Sequence, residues 1–321
     1  MTSRRLAISF ILAAAALGGC GLIVGNRAAH REAAAEAKYP PTGQLLQVNG
    51  KTVHADVQGA GPDLILIHGA SGNTRDFTFS LVAQLKDDYR VISFDRPGMG
   101  WSDDLGDAGT DPLVQADRLI AAAQLLGVRR PVVLGHSYGG AVAMAWALRD
   151  PGNTAALVIL SGATMPWPGG LGPQYAVLSS DIGGATLVPL VTAFVGENQA
   201  TGAIASIFAP QMPPPGYADY IGAGLTLRRT SLQTNAKQVG GLKPYVTAMS
   251  ANYPKLTLPV EIVHGDADTT VPADVHAEPL SRLLPGAALT LLPGIGHMPH
   301  HASQPAVIAA INRAAARAGL R

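Results

Sequence analysis

The chain has 321 residues, enough for one large buried core, with 14% charged residues, a formal net charge of +1 and no block of like charges beyond its first few residues. So even a balance argues against the basic footprint of a nucleic-acid-binding surface. The single cysteine, Cys20, excludes an intrachain disulfide and a cysteine-built metal centre.

Arg4 and Arg5 precede an uncharged stretch from Leu6 to Asn26. Within it, Leu17-Gly18-Gly19-Cys20 resembles the lipobox of bacterial lipoproteins, where the signal is cut before a cysteine that carries lipid. Leu6 to Gly25 also has the ~20 residues that span a bilayer, with arginines on the cytoplasmic side, as in an uncleaved signal anchor. A simple secretory signal is the third reading. All three expect residues 1–26 to deliver the folded domain to the outer side of a bacterial membrane, in the cell envelope. Residues 27–43 read as a spacer: a polar helix former without an apolar stripe, broken by Tyr39-Pro40-Pro41.

The globular domain is expected over 44–321. Leu45–Val48 and Val53–Val57 alternate around Asn49-Gly50, which predicts an antiparallel edge hairpin. Leu64–His68 is an uninterrupted apolar run, as a strand buried on both faces should be. A helix over 75–85, a strand over 91–95, a helix over 112–126, a strand over 132–136, a helix over 141–148 and a strand over 156–161 follow. This alternation predicts a mostly parallel sheet covered by helices on both faces. No further core strand comes until residue 260. An interval that long is too great for a loop and predicts an inserted helical cap at about 164–257. The core pattern resumes at 260–264, with a helix after Pro272, a strand over 288–292 and a last helix over 304–318.

The strand at 132–136 ends in Gly135-His136-Ser137-Tyr138-Gly139 and runs directly into a small-residue helix. A corner this tight pushes Ser137 out above the sheet, and the flanking strand and helix make the pattern meaningful. A serine hydroxyl needs a base to take its proton, and the base needs an acid to hold its tautomer. The later strands end in Gly265-Asp266-Ala267-Asp268 and in Gly294-Ile295-Gly296-His297, so both partners lie downstream in the order Ser, Asp, His.

With His68-Gly69-Ala70-Ser71-Gly72 and Asp95-Arg96-Pro97-Gly98-Met99-Gly100-Trp101-Ser102 after the first two core strands, the chain resembles the α/β-hydrolase superfamily in its serine-nucleophile, cap-bearing form, from about Leu45 to Arg313. The resemblance implies Ser137 as nucleophile, His297 as base and Asp268 as acid, with Asp266 capping the loop. It also implies an oxyanion hole from the backbone N–H groups of Ala70 and Tyr138. The loop from Asp95 to Ser102 reads as a structural turn. Trp101, Trp167 and Met298 are expected to line the substrate pocket, with cap residues Met165, Phe208, Met212, Tyr217 and Tyr220 as further candidates. His264 and His136 are expected in supporting roles, His54 in a structural one, and His300 and His301 partly exposed. The implied activity is cleavage of a small or medium apolar carboxylic ester through an acyl-enzyme, with no metal or organic cofactor. Carbon–carbon, lactone, amide or perhydrolase chemistry on the same triad, or non-catalytic binding of a small ligand, are the alternatives.

Overall fold

The computed structural model describes residues 21–321, without the side chains at 197 and 198; Cys20 and most of the expected signal or anchor segment lie outside the described residues. Helix α1 covers 21–38. The hairpin follows as β1 (Gln44–Val48) and β2 (Lys51–Gln58), turning at Asn49 and Gly50, both with positive φ. Next come β3 (Asp63–Ile67), the short helices α2 (Arg75–Thr78) and α3 (Leu81–Leu85), β4 (Arg90–Phe94), α4 (Pro112–Leu125), β5 (Val132–His136), α5 (Tyr138–Arg149) and β6 (Ala156–Leu160). The expected single helix over 75–85 is broken at Ser80, whose φ of −154° and ψ of −37° are not helical, and Phe79 beside it stands edge-on to Tyr217 and Tyr220.

The eight strands form one sheet in the order β1-β2-β4-β3-β5-β6-β7-β8, antiparallel at the hairpin and parallel from β4 onward. Strands β7 (Val260–Gly265) and β8 (Ala287–Leu292) complete it. Unbroken apolar runs suit the central strands because alternate residues feed two cores. Ile65, Ile67, Val133, Leu157 and Ile159 face α4 and α5, while Leu64, Leu66, Val132, Leu134 and Val158 face α2, α3 and the C-terminal helix. Each such fully buried Val, Leu or Ile contributes ~1.5–3 kcal/mol.

Between β6 and β7 the chain forms helices and no strand: α6 (Pro173–Ser179), α7 (Asp181–Phe194), α8 (Glu197–Phe208), α9 (Tyr217–Tyr220), α10 (Ala223–Thr226) and α11 (Arg229–Ser250). This is the inserted cap. Helices α12 (Ala277–Leu283), α13 (Pro299–Ala302) and α14 (Gln304–Arg317) complete the fold.

The segment expected to be a spacer is not a free tether. Helix α1 buries Ala28 and Ala35, and Arg27 Nε donates to the Ala193 carbonyl at the end of α7. Glu32 accepts two bonds from the Arg229 guanidinium, and Glu36 pairs with Arg228. The sequence lacks an apolar stripe here because the contact is made by alanines and ion pairs.

Candidate active site

Residue 137 sits between β5 and α5 with φ 53° and ψ −120°. A serine accepts a positive φ only at a cost of order 1–3 kcal/mol, which the surrounding structure enforces. The flanking glycines are sterically required. A Cβ on Gly135 would lie 2.2 Å from the Gly139 carbonyl oxygen, and one on Gly139 would lie 2.2 Å from that of Ile67.

The three residues expected to act together do meet. His297 Nε2 is 2.9 Å from Ser137 Oγ, and His297 Nδ1 is 2.7 Å from Asp268 Oδ2. The other oxygen of Asp268 accepts from the backbone N–H groups of Thr270 and Val271, each at 2.9 Å. Burial alone would raise the Asp268 carboxyl, but hydrogen bonds from His264, His297 and the loop backbone hold it well below the usual carboxylate range. Asp268 is therefore a fixed anion that orders the His297 tautomer. Asp266 is exposed and accepts from Gly294 N–H, so it caps its loop. His264 Nε2 holds the acid loop through the Val271 carbonyl at 2.7 Å, and His136 Nε2 donates to the His297 carbonyl at 2.9 Å.

Tyr138 N–H is the first of α5 and so has no acceptor within its own helix. The second expected donor, Ala70 N–H, shares a peptide plane with the Gly69 carbonyl. Arg96, fully buried, fixes that plane: Nη2 donates to Gly69 O and Nε to His68 O, both at 3.0 Å. With the carbonyl held toward Arg96, the trans peptide directs Ala70 N–H to the opposite side. Arg96 is itself held by Gln115 and Gln238 and lies over the Tyr138 ring at 4.3 Å. The same loop needs Gly69, because a Cβ there would come within 3.0 Å of Ser137 Cβ. Sequence reading assigned the Asp95–Ser102 loop to structure and gave Arg96 no place at the site; an arginine beside an aspartate is the only signal it offered. His68 completes the turn, with Nδ1 donating to Gly69 O and Nε2 accepting from Arg96 N–H. Burial first, then the Arg96 charge, lowers it to about 4, so it is neutral.

The remaining expected residues scatter. Trp101 Nε1 donates to the Tyr39 carbonyl and its ring carries Arg228, so it joins the Asp95 loop to the α1 segment. Trp167 packs against the core cluster that holds Ala70 and Tyr138, with its ring 5.9 Å from that of His276. Met298 is buried with Phe208, Tyr217 and Ile221 of the cap. Met212 is exposed, and Tyr220 is half-exposed on the surface. His54 bonds Asp95 Oδ2 at 2.6 Å and anchors that loop. His300 and His301, expected partly exposed, are covered: the His300 side chain is inaccessible and that of His301 nearly so, because Asp76 offers both a buried acceptor. Ser137 itself is only 8% exposed.

Residues 64–311 match the model of the alpha/beta hydrolase family. Among curated proteins, the chain is 29% identical over 249 residues to the magnesium-chelatase 30 kDa subunit of Rhodobacter capsulatus, covering 75% of this chain and 82% of that one. It is 28% identical over 262 residues to the pimeloyl-[acyl-carrier protein] methyl ester esterase of Nitrosomonas europaea, covering 77% and 93%. Among solved structures, an esterase from Exiguobacterium antarcticum superposes with a TM-score of 0.68 at 20% identity, covering 85% of this chain and 99% of that one. The eight-stranded sheet, the inserted cap and the match over most of the chain agree: this protein belongs to the alpha/beta hydrolase family and is a hydrolase.

Proposed function

We propose that the protein is a serine esterase that cleaves small or medium apolar carboxylic esters through an acyl-enzyme. The observation that carries this reading is the continuous Ser137–His297–Asp268 relay at 2.9 and 2.7 Å, on a serine held at positive φ. Ser137 Oγ attacks the ester carbonyl as His297 Nε2 takes its proton. The carbonyl electrons move onto oxygen, which the N–H groups of Ala70 and Tyr138 stabilise. Collapse of the tetrahedral intermediate expels the alcohol with the proton from His297, and water, deprotonated by the same nitrogen, releases the acid and restores Ser137. Residues 1–26 are proposed to hold the domain at the outer face of a bacterial membrane, as a lipid-carrying Cys20 or as an uncleaved anchor; Cys20→Ala abolishes palmitate incorporation only in the first case.

Turnover of a p-nitrophenyl ester series from acetate to palmitate, with Ser137→Ala as control, tests the reading. Turnover by the wild type alone supports it, and the chain-length optimum measures the space under the cap. A folded protein that labels at Ser137 yet turns over no ester would move the assignment to lactone, amide or carbon–carbon substrates.

A further inference from the structure

Behind the triad lies a second buried polar cluster that ester hydrolysis does not use. Asp76 on α2 accepts from Tyr217 Oη at 2.7 Å; His301 Nε2 is 2.9 Å from its Oδ1, and His300 Nε2 is 3.1 Å from its Oδ2. One ligand atom from each of Asp76, His300 and His301 lies within 4.8 Å of the others. Three elements far apart in sequence thus converge their donors on one point: α2, α13 and, through Tyr217, α9 of the cap.

His136 supplies an independent observation. Its Nε2 faces the His297 carbonyl, which only accepts, so Nε2 carries the proton and Nδ1 is a bare lone pair. That Nδ1 is buried, has no hydrogen-bond partner among the described residues, and lies 3.9 Å from Asp76 Oδ2. Gly69 beside it has no side chain to offer a donor. A buried nitrogen without a donor thus stands beside a carboxylate, at the edge of the Asp76, His300 and His301 group.

We propose that Asp76, His300 and His301 form a binding site for one divalent cation of the zinc type, wedged between the nucleophile turn and the loop that carries the base, with His136, outside that 4.8 Å group, turning in as fourth donor. Imidazole nitrogens and one carboxylate are the ligands such an ion takes at ~2.0–2.2 Å, which sets ligand-to-ligand edges of about 3.3 Å. His301 Nε2 is 2.9 Å from one Asp76 oxygen and His300 Nε2 is 3.1 Å from the other, near that length, while His136 Nδ1 must close in from 3.9 Å. Fe²⁺ also uses two histidines and a carboxylate but keeps open positions for reactants, and the burial of all four side chains leaves none. Tyr217 Oη and the His297 carbonyl play the orienting part that outer partners play in metal centres. The site does not depend on ester cleavage; its ligands exclude the three triad residues.

The test is titration of the full chain, stripped with chelator, with Co²⁺ and then Zn²⁺. Expected is one equivalent of Co²⁺ with the strong visible bands of a four-coordinate centre, displaced by Zn²⁺. Asp76→Asn and His301→Gln should each weaken binding at least about 100-fold and Tyr217→Phe about tenfold, while Ser137→Ala and the exposed His30→Ala leave it unchanged. Near-ultraviolet circular dichroism establishes that each variant is folded. Absence of stoichiometric binding by the wild type overturns the proposal whatever the variants do. So does binding that survives both Asp76→Asn and His301→Gln, which would reveal adventitious surface coordination.

Discussion

At the level of single residues, the proposed mechanism distinguishes groups that react from groups that aim them. Ser137→Ala removes the nucleophile and is expected to lower kcat by ~10⁵–10⁶-fold. Asp268→Asn preserves shape but frees the His297 tautomer, with a loss of ~10⁴-fold. Arg96→Met tests the less obvious claim. It releases the Gly69 carbonyl and with it the direction of Ala70 N–H, so kcat should fall ~10²–10³-fold, as when an oxyanion donor is lost, with KM changed far less. Steady-state kinetics on one p-nitrophenyl ester distinguishes these; an Arg96→Met enzyme with normal kcat would remove Arg96 from the site. That Ser137, Asp268 and His297 would meet was legible in the sequence because each sits at a strand end inside a local pattern of glycines and small residues. Arg96 was not, since its partners Gln115 and Gln238 lie 19 and 142 residues away and only folding brings them together. Nor was the covering of His300 and His301, which depends on Asp76 from a distant helix.

At the level of elements, the core strands and the hairpin were readable because hydrophobic period and the Asn49-Gly50 turn specify them locally. The cap was readable chiefly as a missing strand. Its helices are assembled by tertiary contacts, and α1 joins them through ion pairs that no periodicity announces. Those pairs are partly exposed, so each contributes at most ~1 kcal/mol. Glu32→Ala with Glu36→Ala should leave the thermal midpoint of the sheet domain nearly unchanged while speeding amide hydrogen exchange in the first turns of α11, where Arg229 is anchored. Unchanged exchange there would show that α1 does not restrain the cap.

Across the whole molecule, buried ionisable groups set the response to pH. His68 and His276 are lowered from 6.5 to about 4, in both cases by burial first. Between these values the unfolded chain binds protons that the folded chain refuses. Their contribution is therefore complete above about pH 6.5 and is lost as pH falls toward 4, on the order of 3 kcal/mol for His68 alone. His54 acts in the opposite sense. Although burial lowers it, the Asp95 hydrogen bond and charge raise it overall, so its contribution is present below 6.5 and lost as pH rises through its folded value. The buried carboxylates Asp76, Asp95 and Asp268 are all lowered, adding stability above their unfolded values that is lost in stronger acid. Urea melts from pH 8 to 4 should show stability declining most steeply between about 6.5 and 4, and His68→Asn should flatten that decline. Stability that is flat or rising on acidification over this range would contradict the neutral, buried state of His68.

The central claim, that Ser137 is an activated nucleophile, is tested most directly by intact-mass analysis after exposure to a fluorophosphonate. One adduct per chain is predicted, mapped to the peptide holding Ser137, absent in Ser137→Ala and formed much more slowly in Asp268→Asn. A folded wild-type protein that forms no adduct, or forms it equally well without Ser137, would contradict the account and favour a ligand-binding role for this fold.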